Sequence, residues 1–120
     1  MVFNIMANNR DDHVKNFAFM MDANQEWALT PAYDLMYAKG PGGEHSMDLS
    51  GEGLSPGGHS ATRLGRKSGL STNEVNNNIE RVMAAVKKWP EHAQIAGVTD
   101  KTMNYILKRI NRNISFFQSQ

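Results

Sequence analysis

Three side chains near the start of the sequence are of the types that handle protons and divalent cations. Asp11 and Asn16 lie five positions apart, and Asp34 follows Asp11 by 23 positions. A carboxylate can accept the proton of a hydroxyl group, while an amide and a second carboxylate can hold Mg²⁺ against a polyphosphate. The spacing therefore predicts a phosphoryl-transfer site, with Asp11 as the base and Asn16 and Asp34 as metal ligands.

A β-hairpin is the element that would bring these residues together. Residues 16–21 are rich in aromatic and apolar side chains, and residues 26–30 predict the partner strand. The polar segment 22–25 favours a turn, because Asp and Asn side chains bond their own backbone there. With this turn, Asn16 would open the first strand opposite Pro31. The second carboxylate would then emerge at the same end of the hairpin as the first.

The same residues resemble the HipA-type serine/threonine kinases, the toxins of bacterial toxin–antitoxin pairs. Asn9-Arg10-Asp11 is similar to the His-Arg-Asp of protein kinases. The similarity is specific over residues 3–35, diffuse over 69–110 and poor over 40–62. The strings that carry it are Asp-Asp-His-Val-Lys-Asn-Phe at 11–17 and Trp-Ala-Leu-Thr-Pro-Ala-Tyr-Asp-Leu at 27–35.

The resemblance implies a fold, an activity and a set of site residues. The fold is mostly α with one β-hairpin, as the C-terminal subdomain of a kinase C-lobe. The activity is transfer of the ATP γ-phosphoryl group to a protein hydroxyl with Mg²⁺, and an antitoxin protein is the expected partner besides the protein substrate. Asp11 is then the catalytic base, with Asn16 and Asp34 as Mg²⁺ ligands. The residues that would line the nucleotide phosphates are His13, Val14, Lys15, Asn16, Tyr33 and Asp34.

Two departures from the kinase pattern leave the substrate class open. His13 stands where protein kinases commonly carry Lys, and Asp-x-His-x-x-Asn is also the loop pattern of phosphatidylinositol-kinase-like enzymes. Asp34 is followed by Leu35 and Met36 rather than by Phe-Gly. Conformational switching of the Asp-Phe-Gly kind is therefore not assumed.

Ten residues precede Asp11, and they indicate the end of a helix. None of them supplies the glycine-rich phosphate loop, the strand lysine or the helix glutamate that a kinase needs. We therefore expect the C-terminal part of a kinase lobe that has no activity alone. A lobe of this kind should expose apolar surface, which favours self-association.

Composition divides the single expected domain into three segments. Residues 1–38 hold the predicted site. Residues 39–62 are rich in glycine and predict a long, partly mobile loop that buries little apolar surface, placed where a kinase activation segment would lie. A plain flexible connection is the favoured interpretation of that loop, and a regulatory or substrate-facing segment is the alternative. Residues 63–120 form the helical segment.

The helical segment carries capping and apolar signals. Ser71 and Glu74 match the capping box that starts a helix, Trp89-Pro90 ends that helix, and Thr99 can cap a last one. Apolar residues recur at helical spacing along the last helix, which predicts one buried stripe. These residues are Met103, Ile106, Leu107, Ile110, Ile114 and Phe117.

Charge is unevenly distributed, although the net charge is only +1. Residues 1–60 carry three basic and eight acidic side chains, a net −5, which suits a Mg²⁺ site. Residues 61–120 carry ten basic and four acidic side chains, a net +6, which permits a helix-turn-helix DNA-binding module. Its second helix offers Asn73, Asn76 and Asn77 but few arginines, so direct nucleic-acid binding is the weaker alternative. A helical protein-interaction module is the third.

Two absences complete the sequence-based expectations. The chain has no cysteine, which excludes disulfides and thiolate metal sites. No apolar run approaches the ~18 residues that a membrane span requires. A cytoplasmic location without membrane contact is therefore expected.

Overall fold

Five α-helices and one two-stranded antiparallel sheet make up the structure, a computed structural model that describes residues 1–120. Helices and 3₁₀ turns hold 53% of the residues, so the expected mostly α fold with one hairpin is confirmed. The elements are α1 (Val2–Ala7), β1 (Phe19–Met21), β2 (Trp27–Leu29), α2 (Gly58–Lys67), α3 (Thr72–Val86), α4 (Trp89–Ile95) and α5 (Asp100–Ser119). Two 3₁₀ turns cover Val14–Asn16 and Pro41–Gly43.

The long helix α5 supplies the centre of the core. It packs against α1, α2 and α4, and the predicted apolar stripe is the side that it buries. The buried members of the stripe are Met103, Ile106, Ile110, Ile114 and Phe117. Ile5 and Met6 of α1 and Val86 of α3 join the same cluster. None of the five helices combines the length and the hydropathy that crossing a membrane requires.

Side-chain caps start the two longest helices, as the sequence predicts. The Ser71 hydroxyl accepts the Glu74 N–H at 3.3 Å, and the Glu74 carboxylate accepts the Ser71 N–H at 2.8 Å. The Ser71 hydroxyl also donates to that carboxylate at 2.7 Å. These bonds, first the hydroxyl and then the backbone N–H, lower the pKa of Glu74. At α5, the Thr99 hydroxyl accepts the Thr102 N–H at 3.4 Å.

The short helix α1 depends on the far end of the chain. It has six residues and ends at Asn8, which adopts the left-handed conformation with φ 57°. The Asn113 side-chain amide of α5 donates to the Ile5 carbonyl at 3.1 Å and to the Asn8 side-chain oxygen at 3.4 Å. A helix this short is not stable alone in water. Helix α5 therefore holds α1 in place, and α1 leads directly into the segment of Asp11.

The hairpin forms where it was predicted, but its register differs by one residue. Phe19 lies opposite Leu29 and Met21 opposite Trp27, so the loop between the strands has five residues, 22–26. The Asp22 carboxylate accepts N–H groups two and four residues further on, at 2.8 and 2.9 Å. The ladder does not extend to Asn16, so the predicted pairing of Asn16 with Pro31 is wrong.

Asn16 does not open a strand, contrary to the prediction. It ends the 3₁₀ turn Val14–Asn16, and β1 begins three residues later, at Phe19. The backbone N–H of Asn16 donates to the His13 carbonyl at 3.0 Å, and this bond closes the turn. The 3₁₀ turn forms here in place of a strand because its backbone N–H groups find carbonyl partners within three residues.

The glycine-rich loop is anchored at a few points. Leu49 is only 2% exposed and belongs to the core cluster. Leu49 and Glu52 also exchange backbone hydrogen bonds at 2.8 and 3.3 Å. Helix α2 begins at Gly58, inside the range 39–62 that was predicted as loop. The glycine content gave no sign of this anchoring, because a single leucine and side-chain bonds, rather than a run of apolar residues, attach the loop.

Candidate functional site

Asp11 and Asn16 meet through the backbone of Asp11. The Asn16 side-chain N–H donates to the Asp11 carbonyl at 2.9 Å. This bond fixes the amide plane and leaves the Asn16 side-chain oxygen as an acceptor without a protein partner. The Asp11 carboxylate likewise accepts no hydrogen bond and is half-buried. An oxygen ligand and a proton acceptor are thus held on one short segment.

Asp34 reaches the site through a strained backbone position that a buried amide supports. Its φ is 55°, in the left-handed region that non-glycine residues seldom adopt. The Asn9 side-chain N–H donates to the Asp34 carbonyl at 3.0 Å, and Asn9 is only 1% exposed. Asn9 also pairs with Ala38 in a parallel bridge. The segment after β2 is thereby tied to the residues just before Asp11, and the Asp34 carboxylate stays exposed without an ion-pair partner.

Asn16 and Asp34 line the same cavity, which has a volume of about 340 Å³. Tyr33 and apolar residues of the hairpin, among them Phe17 and Leu29, complete its wall. The Asp11 side chain does not line the cavity, and it is the Asp11 backbone carbonyl that Asn16 bonds. The structure therefore brings the two expected metal ligands to one opening and places the expected base beside it.

The remaining residues of the predicted phosphate lining are spread around this opening. The Tyr33 hydroxyl donates to the Lys15 carbonyl at 2.6 Å, which joins the end of the hairpin to the turn. Val14 is 68% exposed and Lys15 is exposed as well. His13 is half-buried, and its Nδ1 atom is buried without a partner. His13, Val14 and Lys15 do not line the cavity, so their contact with a nucleotide stays a prediction.

A buried contact between a carboxylate and a histidine, which the sequence did not reveal, lies beside the site. The Asp12 carboxylate bonds the Nδ1 atom of His45 at 2.9 Å, with side chains 4% and 3% exposed. The same carboxylate accepts the backbone N–H groups of Ser46 at 2.8 Å and Met47 at 3.4 Å. Asp12, the neighbour of Asp11 in the chain, thus attaches the glycine-rich loop to the candidate site. No spacing rule predicts a bond across 33 positions, and only the Asp-Asp doublet marks the place.

Asn9 is the second positioning residue that the sequence did not reveal. Besides Asp34 it bonds the Asn4 side chain at 3.3 Å, and its own side-chain oxygen is buried without a partner. An asparagine just before an expected catalytic loop was the only signal available. Asn9 supports the backbone of Asp34 and also lines the cavity that Asn16 and Asp34 share.

The donor set of the cavity determines which cation it suits. No group of three or more His, Cys, Asp or Glu side chains is close enough to hold a metal ion. A cation at this opening would take the Asn16 amide oxygen, the Asp34 carboxylate and other oxygens. Hard oxygen donors that leave several positions to water or phosphate suit Mg²⁺ rather than Zn²⁺.

Helices α2 and α3 are joined by four residues, 68–71, with Gly69 at φ 88°. They pack closely, because a Cβ on Gly65 would come within 2.5 Å of a Val75 methyl group. The three asparagines of α3 that were considered for base contacts are exposed. DNA binding by this helix pair stays a prediction.

The fold and the site together define a class of protein: a mostly helical domain with amide and carboxylate side chains beside a two-stranded hairpin. Within this class, the chain belongs to the family of HipA-like C-terminal domains, whose family model matches residues 1–89. The resemblance derived from the sequence is confirmed, and the match places the chain in a kinase-related family of toxin–antitoxin context. The matched range includes every predicted site residue. No curated protein and no solved structure gave a match to the chain.

Proposed function

We propose that the chain carries the catalytic base and the Mg²⁺ ligands of a serine/threonine protein kinase, the toxin of a toxin–antitoxin pair. The kinase would transfer the γ-phosphoryl group of ATP to a protein hydroxyl. One observation supports this most strongly: Asn16 and Asp34 line one cavity, and Asp11 is joined to Asn16 by a hydrogen bond. Membership of a kinase-related family agrees with it.

Asp11 is the proposed catalytic base. Its carboxylate has no protein partner, so it is free to accept a hydrogen bond from the hydroxyl group of a substrate. It would orient that hydroxyl and take its proton, a role that typically contributes a factor of about 10²–10⁴ in rate. The Asn16 amide bonds the Asp11 carbonyl and thereby fixes the backbone position from which the Asp11 side chain extends.

Asn16 and Asp34 are the proposed Mg²⁺ ligands. The Asn16 amide oxygen is available because the amide nitrogen is already bonded, and the Asp34 carboxylate is exposed and unpaired. Mg²⁺ held by these two side chains would offset the negative charge of the phosphates. Asn9 positions Asp34 by holding its carbonyl, and Tyr33 positions the turn through Lys15.

ATP, the protein substrate and the antitoxin belong to the same proposal. His13 and Lys15 would offset phosphate charge beside the opening, together with Tyr33 and the metal ligands. The 120-residue chain contains no glycine-rich phosphate loop ahead of Asp11, so it is expected to show no phosphorylation by itself with ATP and Mg²⁺. Robust phosphate transfer by the purified chain would contradict this part of the proposal.

Paramagnetic Mn²⁺ tests the metal site directly. We expect Mn²⁺ to broaden the amide signals of residues 11, 16 and 34 in the NMR spectrum of the chain, and to lose this effect in Asp34→Ala. The matched control is Asp48→Ala, which removes another exposed carboxylate outside the cavity. Broadening that disappears in Asp48→Ala, or that is the same in all three proteins, would refute the proposed ligands.

A further inference from the structure

A second cavity lies between the glycine-rich loop, the residue before Asp11 and helix α5. Its volume is about 370 Å³, and it shares no lining residue with the hairpin cavity. The polar residues of its wall are Arg10, His45, Ser55, Arg109, Arg112 and Asn113. None of its ten lining residues is Asp or Glu. The cavity therefore concentrates positive charge with no compensating carboxylate on its wall.

The three arginines of this wall have no anionic partner in the protein. The only basic side chain within ion-pair distance of a carboxylate is His45, which contacts Asp12. The Nε atom of Arg10 is buried and donates no hydrogen bond. Arg109 lies 6.0 Å from the centre of the Tyr105 ring, and Arg112 makes no side-chain hydrogen bond. Buried guanidinium nitrogens are nearly always hydrogen-bonded, so the unpaired Nε atom of Arg10 requires an explanation, while Arg109 and Arg112 are exposed beside it.

The backbone holds these groups in position before any ligand arrives. The Arg10 N–H donates to the Ala38 carbonyl at 3.2 Å, and the Arg10 carbonyl accepts both the N–H and the hydroxyl of Ser46, at 3.2 and 3.1 Å. Asp12 holds His45 by Nδ1, which leaves Nε2 on the other side of the ring without a protein partner. A preorganised donor set loses little entropy when it binds an anion.

Helix α5 supplies the opposite wall of the cavity. Arg109 and Arg112 are three positions apart and lie on the same face of the helix. Asn113 contributes an amide beside them, although its N–H groups also bond α1. Leu54, Pro56 and Phe116 add an apolar part to the wall. The cavity can therefore receive a charged group at one side and a carbon body at the other.

We propose that this cavity binds a phosphate-type oxyanion, either inorganic phosphate or the phosphate of a small monoester. Guanidinium groups bind two oxygens of a phosphate at once, and three of them with a histidine can satisfy a tetrahedral dianion. The volume falls in the range of small-molecule sites. The proposal does not depend on the kinase function, because it uses neither Asp11, Asn16 nor Asp34.

Titration calorimetry of the 120-residue chain tests this proposal. The probes are inorganic phosphate and phenyl phosphate, with chloride at matched ionic strength as the reference. We expect saturable binding of at least one phosphate probe and none of chloride. Tighter binding of phenyl phosphate would assign the site to a monoester with a carbon body. Equal or tighter binding of inorganic phosphate would assign it to the free ion.

Two variants identify the site. Arg112→Gln removes one guanidinium from an exposed position of α5, and we expect it to weaken phosphate binding by about tenfold or more. Arg81→Gln removes the same charge from the exposed surface of α3 and should bind as the unaltered chain does. Circular dichroism confirms that both variants are folded. Absence of saturable binding, or equal losses in both variants, would overturn the proposal.

Discussion

The hairpin exposes its apolar side chains, whereas the helical segment buries the apolar side of α5. In the hairpin, Phe19 is 66% exposed and Trp27 is 68% exposed, and every strand residue is exposed. In α5, Ile110 and Phe117 are each only 2% exposed. Both regions are rich in large apolar residues. Only the helical segment uses them to stabilise this chain.

The periodicity of each segment explains this difference. Apolar residues of α5 recur every three or four positions and lie on one side, which a single layer of neighbours covers. The strands place apolar residues at consecutive positions, Phe19–Met21 and Trp27–Leu29, so both faces of the hairpin are apolar. Strands of that type are normally covered on both faces. The helices therefore carry the stability, while the hairpin offers a surface of the kind that marks interaction sites.

The largest expected effect comes from truncating the core of α5. Ile110→Ala should lower the free energy of unfolding by about 4 kcal/mol, because it opens a cavity among fully packed neighbours. Phe19→Ala removes a larger side chain from the exposed hairpin and should cost less than about 1 kcal/mol. Urea unfolding measures both variants. Similar losses would contradict the proposed division between the two regions.

Two adjacent carboxylates give the next largest contrast. Asp12→Ala removes the partner of buried His45 and two backbone acceptor bonds, so unfolding free energy should fall by about 3 kcal/mol. Asp11→Ala removes a carboxylate without partners and should change stability by less than about 1 kcal/mol. Urea unfolding of both variants checks this. Equal destabilisation would mean that Asp11 also supports the fold, which would weaken its assignment as a catalytic group.

A smaller effect on stability is expected from making the hairpin polar. Phe19→Ser with Trp27→Ser should leave unfolding free energy within about 1 kcal/mol and reduce the predicted self-association, because the exposed apolar surface is lost. Sedimentation velocity over a range of protein concentrations measures the mass. Ile95→Ser is the control, since Ile95 is 79% exposed but lies on α4. Unchanged association in the hairpin variant would exclude the hairpin as the contact surface.

The smallest effect concerns the cap of α3 and its dependence on pH. Bonds from Ser71 lower the pKa of Glu74 in the folded protein, so the stabilisation is complete above the ordinary carboxyl pKa and is lost as pH falls through the folded value. Glu74→Gln keeps a side-chain oxygen that can accept the Ser71 N–H, but its amide does not titrate in this pH range. Between about pH 5 and pH 3, its melting temperature should fall less than that of the unaltered chain. Parallel curves would contradict this role of Glu74.

The parts of the structure that the sequence predicts are those that local rules control. The caps at Ser71 and Thr99 and the stripe of α5 depend on residues within a few positions of one another. The hairpin was predicted with its register displaced, because the Asp22 side chain organises a five-residue loop and Gln25 takes a φ of 64°. A side chain that bonds its own backbone can thus shift a register by one residue.

The features of the structure that the sequence did not predict depend on contacts between positions far apart in the chain. Burial of Leu49 and the bond between Asp12 and His45 join the glycine-rich loop to the rest of the fold. The support of Asp34 by Asn9 spans 25 positions. At the candidate site, residue types and spacing predicted the shared opening of Asn16 and Asp34, but not the side chains that hold them there. Composition describes a loop without showing which single residue anchors it.

The bond from Asn113 to the end of α1 has a consequence for biosynthesis. Helix α1 is translated well before its partner, because Asn113 follows Ile5 by 108 positions. Because a six-residue helix does not persist alone, the Asp11 segment should stay unstructured until α5 has emerged. A nascent chain stalled before residue 113 would therefore carry an Asp11 segment that has not assembled, and ordering of that segment would report that α5 has been synthesised.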